Sequence, residues 1–385
     1  MFNPFQSATS PITPISLSYP HYMAVKMLRE HGKLSRTAIA DLINYSPSKI
    51  TSVVNDLIAA NIIIEVNESD STGGRRAKEL FFNPSFGYFI AIAISVNKLD
   101  VALVDFSEST RIRQMLPLEY EADPGKTLQD IADFVFERLA RLDISIEKIY
   151  GVGITLPGAV NRTDGTLYDT PALPGWGGYQ IESFIRELFP YALVVIERDA
   201  HAMAFAELRH GQGKIHKHFI YLYVGHTISA GLILANQIYH GANGRAGDIG
   251  NMKIVSNGEM VNLDHLASPI LGDIHHYKHL DEISIAAQEG DIKAQQFIEN
   301  IALQIGQALS TLVSVVDPEI ILIGGLAQQW GHPFLAAIRR HILELSQSST
   351  TQHLQVDIAP LGDEATITGI LALTAEQVFV VERKP

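Results

Sequence analysis

The sequence predicts a mixed α/β chain in two parts, an N-terminal winged helix-turn-helix over residues 21–85 and a larger α/β body behind it. Three amphipathic stretches and an apolar hairpin follow one another in the first part. Beyond residue 85, apolar strands alternate with helices in two halves that each open on a hairpin. Charge divides the chain at the same place. Residues 1–85 hold eight of the 29 Lys and Arg and seven of the 42 Asp and Glu, a net of +1, which leaves −14 on the remainder of a chain whose total is −13. The total argues against a nucleic-acid partner, but the acidity belongs to the body, and the near-neutral head is able to meet a polyanion.

Each element of the head has a local cause. Residues 1–20, rich in Ser, Thr and Pro, read as a flexible arm. The first helix covers residues 21–30, with Met23, Val25, Met27 and Leu28 as apolar surface, and stops at Gly32. The second opens at Ser35, an N-cap type, carries Ile39, Leu42 and Ile43 at helical spacing, and ends at Asn44-Tyr45. The third has Ser46 as N-cap and Pro47 at the first helical position, with Ile50, Val53, Val54, Leu57 and Ile58 as its apolar stripe. Its other face offers Ser48, Lys49, Thr51, Ser52 and Asn55, short hydrogen-bonding groups and one cation that suit base edges and phosphates. Residues 62–66 and 80–82 then pair as a hairpin whose loop holds Gly73, Gly74, Arg75 and Arg76, a wing able to enter a minor groove. Each piece alone is ordinary packing. In this order they specify a DNA-binding head, with contacts expected from Arg36, Ser46, Pro47, Ser48, Lys49, Thr51, Ser52, Arg75 and Arg76.

The body begins with two apolar strands, 89–96 and 101–106, that form a hairpin around Asn97-Lys98. A helix over 128–142 and a strand over 149–155 follow, the latter ending in Leu156-Pro157-Gly158. A second hairpin pairs 219–224 with 230–234, and a long helix bearing Ile298, Ile301, Ile305, Leu309 and Leu312 leads through Asp317-Pro318 into a strand at 320–323. The two halves form a weak internal repeat. Zero cysteines exclude disulfides, a thiolate zinc site and a cysteine nucleophile. The N-terminus has no basic start followed by an apolar block, and no run approaches the roughly 18 apolar residues a membrane helix needs, so the expected location is the cytoplasm.

Several motifs follow one another in order: Gly74-Arg75-Arg76, Leu156-Pro157-Gly158-Ala159-Val160, Leu173-Pro174-Gly175-Trp176, Glu197-Arg198-Asp199-Ala200-His201-Ala202, the glycine-rich run 241–250, and Ile321-Leu322-Ile323-Gly324-Gly325. Together they resemble the ROK family of sugar-responsive repressors and sugar kinases. The resemblance implies a winged helix joined to an actin-like (ribonuclease H-like) two-lobed sugar-kinase fold. The first lobe would cover 86–195, completed by a C-terminal helix over 365–380, and the second 196–364.

Kinases of the family need two glycine-rich turns to bring backbone N–H groups against ATP phosphates, plus an Asp as base. The first turn here is Ala93-Ile94-Ser95-Val96-Asn97-Lys98, without Asp or glycine. The second is Gly225-His226-Thr227-Ile228-Ser229-Ala230-Gly231, where His226, Ser229 and Ala230 replace three glycines. Side chains there block close phosphate approach, so the chain is expected to have no kinase activity, no cofactor and no catalytic residue, with Asp199 at the base position serving as a hydroxyl acceptor. The resemblance puts sugar contacts at Gly175, Arg198, Asp199, Asp248, Asn251 and Asp264. Asp248 and Asp264 stand where relatives carry Glu, a reach shorter by about 1.5 Å. Arg198 stands where relatives carry Asn, and either pairs with an anionic ligand such as a sugar phosphate or neutralises Asp199 and closes the site. The family's zinc site is missing: its His is Asn251, and its cysteine loop is the cysteine-free stretch 255–262. His265, His275 and His276 read as surface histidines, and no metal is expected.

The expected molecule is a repressor of sugar metabolism or transport, a dimer or tetramer on a palindromic operator, with a sugar or sugar derivative bound between its lobes. Two alternatives remain, a sugar kinase with a regulatory head and a repressor governed by a protein partner.

Overall fold

The computed structural model describes residues 14–67, 78–119, 122–256, 258–267 and 280–382. In the head, β1 (Ile15–Leu17), α1 (Tyr19–His31), α2 (Arg36–Ile43) and α3 (Pro47–Ala59) lead into a hairpin of β2 (Ile63–Asn67) and β3 (Lys78–Phe82). The caps are local. Ser35 Oγ accepts the Ala38 N–H at 3.1 Å, Ser46 Oγ accepts that of Lys49 at 3.3 Å, and α2 ends on Asn44 in the left-handed region at φ 54°. Ile50, Val53, Val54 and Leu57 of α3 are buried in one core with Val25, Leu28 and Ile39.

The first half of the body holds β4 (Tyr88–Ile94), β5 (Lys98–Asp105), β6 (Thr110–Pro117), α4 (Pro124–Arg141), β7 (Ile149–Leu156), α5 (Ile181–Leu188), β8 (Leu193–Arg198) and α6 (Asp199–His210). The second holds β9 (Phe219–Val224), β10 (Ile228–Leu234), β11 (Gln237–Ile238), β12 (Lys253–Ser256), β13 (Glu259–Asn262), α7 (Leu280–Gln288), α8 (Ile292–Val316) and β14 (Ile320–Gly325). It continues through α9 (Gly331–Leu345), α10 (Ser348–Thr351) and β15 (Gln355–Ile358) to α11 (Ala365–Val378) and β16 (Phe379–Val381).

Two five-stranded sheets carry this body, ordered β6-β5-β4-β7-β8 and β11-β10-β9-β14-β15. In each, three antiparallel strands are joined at the hairpin's first strand to two parallel ones. The repeat that is weak in sequence is plain in topology. Strand β6 is an element the sequence reading lacked, because its alternating Arg111, Ile112, Arg113 and Gln114 lie half-exposed on a sheet edge and give no apolar run.

Two expected boundaries need correction. Strand β8 runs to Arg198 within the first sheet, past the expected lobe boundary at 195. The flexible arm expected over 1–20 is ordered from Ile15: β1 runs parallel to β16, and Leu17 is buried. The rest of that arm, 1–13, lies outside the described residues. The reason is non-local, since the partner strand stands at the other end of the chain.

The head is packed into the body. Phe82, Phe86, Phe89, Phe106, Val378 and Phe379 share one core with Leu17, Val25 and Leu28. Phe86 meets Phe106 edge-on at 5.0 Å and stacks on Tyr150 at 4.9 Å. Helix α11 packs on β4, β7 and β8 and on α6, and α6 in turn packs on β10. The α6–α11 approach is close enough that a Cβ at Gly369 would come within 1.8 Å of the Ala202 carbonyl oxygen. Helix α6 is therefore buried between the two halves, and its first residues sit where the sheets meet.

Candidate functional site

Strand β8 ends on Arg198, and α6 opens on Asp199, so adjacent residues bring a cation and a carboxylate to the junction of the two halves. Asp248, on the loop that follows β11, reaches Arg198 Nη2 with Oδ1 at 3.1 Å. Asn251 donates its amide to the other Asp248 oxygen at 3.0 Å. Asp264 lies over Gly250, where a Cβ would meet both of its carboxylate oxygens, and its Oδ1 accepts the Ile228 N–H at 2.5 Å. Arg198, Asp199, Asp248, Asn251 and Asp264 are thus gathered from three places in the chain. Gly175, in the β7–α5 loop at φ 82° with open space where a Cβ would stand, contributes none of these contacts.

The electrostatics follow from three acids around one base. Burial pushes the Asp264 carboxyl up to about 6, with Asp248 and Asp199 adding to the rise and the Ile228 N–H and Arg198 opposing it. Burial likewise raises Asp199, against Arg198, the Ala200 N–H and His201. Arg198 is 3% exposed, and among the described residues its Nε and Nη1 have no hydrogen-bond partner. Buried donors of a charged group are costly when unpaired, so the guanidinium has two nitrogens ready for a ligand oxygen.

The β9–β10 turn, where a kinase of this kind would cradle phosphate, is closed from within. The Ile228 N–H is taken by Asp264, the Ala230 N–H donates to the Gly247 carbonyl at 2.8 Å, and the Gly225 N–H to the Thr227 carbonyl at 3.0 Å. The zinc site implied by the resemblance does not fit either. The Asn251 amide donates to Asp248, and the β12–β13 hairpin presents neither thiolate nor imidazole.

On the head, Ser46, Pro47, Ser48, Lys49, Thr51, Ser52 and Asn55 all lie exposed along the first turns of α3. Ser46 Oγ stands 3.2 Å from Ser48 Oγ, and Thr51 Oγ1 donates to the Pro47 carbonyl at 2.8 Å. Arg36, expected on the DNA-facing surface, is half-buried and tied to its neighbours in the head. Its Nε donates to Glu65 at 2.7 Å, and its Nη1 donates to Asn55 Oδ1 at 2.9 Å and the Thr51 carbonyl at 3.2 Å. Arg75 and Arg76 lie outside the described residues. One cluster escaped the sequence reading: Glu197, His201 and His240 offer ligand atoms within 4.8 Å of one another beside Arg198. The Glu197–His201 spacing of one helical turn was a signal for it, but His240 comes only from the fold.

A sequence profile described as the ROK family matches residues 89–265 and 266–377. The chain is 26% identical over 377 residues to the xylose repressor of Caldicellulosiruptor bescii, covering 91% of this chain and 94% of that protein. It is 24% identical over 375 residues to the DNA-binding transcriptional dual regulator NagC of Escherichia coli K12, covering 90% of each. In fold it matches a crystal structure described as a ROK family transcriptional regulator homologous to the E. coli MLC protein, with a TM-score of 0.75, 22% identity, and 93% and 96% of the two chains covered. It also matches a ROK family glucokinase from Streptomyces griseus in complex with glucose and AMPPNP, with a TM-score of 0.61, 23% identity, and 75% of this chain and 99% of that one covered. No helix among the described residues is long and apolar enough to cross a membrane.

Proposed function

The chain belongs to the ROK family, and from that premise we propose a sugar-responsive DNA-binding repressor: a winged helix-turn-helix head on a sugar-binding body without kinase activity. Helix α3 carries the proposal. It is capped at Ser46-Pro47, buries one face through Ile50, Val53, Val54 and Leu57, and exposes Ser48, Lys49, Thr51, Ser52 and Asn55 on the other. That is the face a recognition helix lays against base edges, with Lys49 and the hydroxyls also reaching phosphates. Arg75 and Arg76 take the wing role, and Arg36 braces α2 against α3 and β2 rather than contacting DNA.

In the body, the ligand sits against Asp199, Asp248 and Asp264, with Asn251, Gly175 and the two unpaired nitrogens of Arg198. Three carboxylates around one guanidinium leave a surplus of acceptors, which suits the paired hydroxyls of a neutral sugar such as xylose or N-acetylglucosamine. The same surplus repels a sugar phosphate, so the anionic effector that Arg198 suggests in sequence is disfavoured. Internal occupation of the Ile228 and Ala230 N–H groups supports the loss of phosphate binding, and with it a regulator rather than a kinase. Closure of one sheet on the other about α6 would carry the head with the first sheet, through the shared core around Phe106 and Phe379. In a two-fold dimer such a shift changes the spacing of the two heads, so sugar and operator binding are reciprocally linked.

The test is selection of binding sequences from random duplex DNA by the full chain, followed by salt titration on the enriched site. A palindromic consensus is expected, and Lys49→Ala should weaken binding and reduce the salt slope by about one. Absence of any enriched sequence, or a Lys49→Ala variant with unchanged affinity and slope, would overturn the α3 assignment.

A further inference from the structure

Glu197, His201 and His240 meet at the junction of β8, α6 and the loop after β11, beside the acidic cluster. Glu197 is 8% exposed and His201 fully buried, while the His240 side chain retains 21% exposure and gives the group a solvent side. His201 Nδ1 lies 2.9 Å from Glu197 Oε1, and His240 Nε2 lies 2.8 Å from Glu197 Oε2. The two rings stand edge to face at 5.1 Å.

The protons decide what this arrangement is for. His201 Nε2 is 2.9 Å from the Ala246 carbonyl, a group that only accepts, so this nitrogen carries the proton of a neutral ring. His201 Nδ1 is then a bare lone pair, and it faces a carboxylate oxygen that already accepts the Arg198 N–H at 2.9 Å. Two acceptors at that distance need a proton or a cation between them. A second ring proton would supply it, at the cost of a fully buried imidazolium. A metal ion supplies it without charging either ring, and an imidazole whose other N–H is fixed by a backbone carbonyl is the usual form of a metal ligand. Arg162, whose side chain is mostly exposed, stands 3.9 Å from Glu197 Oε2.

We propose that Glu197, His201 and His240 form a binding site for one divalent ion of the zinc class, two imidazoles and a carboxylate with the fourth position open on the His240 side. The ion would tie the end of β8 and the first turn of α6 to the loop that carries Asp248. Arg198 and Asp199 lie between two of its ligands, so the site fixes the segment from which the acidic cluster is built.

The untagged full chain, stripped with a chelator, is titrated with zinc chloride in competition with a chromophoric chelator. One equivalent per chain is expected, with an X-ray absorption spectrum of nitrogen and oxygen neighbours, and a thermal midpoint that rises with free zinc. His240→Ala, at the open side, should abolish stoichiometric uptake while the chain stays folded by circular dichroism, and His265→Ala should retain it. Absence of uptake by the parent, or equal uptake by His240→Ala, would overturn the proposal. A His201 ring found doubly protonated by nitrogen NMR in zinc-saturated protein would do the same.

Discussion

Glu197 and Asp199 stand two residues apart on one bend of the chain, yet they have opposite kinds of neighbour. Around Asp199, the acids Asp248 and Asp264 share a single fixed cation, Arg198. Around Glu197, one carboxylate serves two imidazoles. The first group has acceptors in excess and is completed by hydroxyl donors. The second has nitrogen lone pairs around one negative charge and is completed by a cation. The change of element separates them, since Glu197 belongs to the end of β8 and Asp199 opens α6. Chemistry of opposite demand is thereby placed back to back.

The largest effect should come from removing the one cation of the first group. Arg198→Met leaves the carboxylates uncompensated and should destabilise the fold by about 3–5 kcal/mol at pH 7.5, read from denaturant or thermal midpoints. The loss should shrink toward pH 5, where Asp264 takes up its proton. A loss that stays constant with pH would mean that the acids do not share Arg198.

Asp199→Asn keeps the shape and removes an acceptor charge. A charged hydrogen bond contributes roughly 1.5–3 kcal/mol, so neutral-sugar affinity measured by calorimetry should fall roughly 10- to 100-fold. Zinc uptake should not change, which sharpens the division between the two groups. Joint loss would erase it.

The smallest effect belongs to Asp264. Its carboxyl holds a proton more tightly in the fold (about 6) than at its ordinary value of 3.8. Folding therefore takes up protons between about pH 4 and 6, and stability falls as pH rises through that window. Asp264→Asn retains a carbonyl for the Ile228 N–H without the buried charge. It should exceed the parent in stability by about 1–2 kcal/mol above pH 6, with the gain vanishing near pH 4. A gain independent of pH would show that Asp264 is not the titrating group.

How much of this was legible in the sequence follows from how local each feature is. The head's helices announce themselves because Ser35 and Ser46-Pro47 cap within their own turn and the apolar stripes have helical period. Strand β1 was hidden because Ile15 and Leu17 find their partner only at Phe379–Val381, so Ser, Thr and Pro dominated the reading. Lys49 could be placed by spacing, whereas Arg36 could not, since its partner Glu65 comes from a strand that the sequence does not bring near. Arg198, Asp199, Asp248 and Asp264 were collected by family resemblance rather than by pattern, and the structure adds what they share. That Asp264 blocks the Ile228 N–H, and that His240 completes a group begun by Glu197 and His201, depends on loop positions that no periodicity encodes.

The measurement that bears most directly on the account is operator affinity across a titration of neutral sugars and their phosphates, on the palindrome selected by the full chain. A neutral sugar is expected to lower operator affinity in the parent, Asp199→Asn to bind operator equally well but respond only at far higher sugar, and neither protein to release ADP from ATP. Operator affinity indifferent to every neutral sugar, a response to phosphates alone, or sugar-dependent ADP release would contradict it.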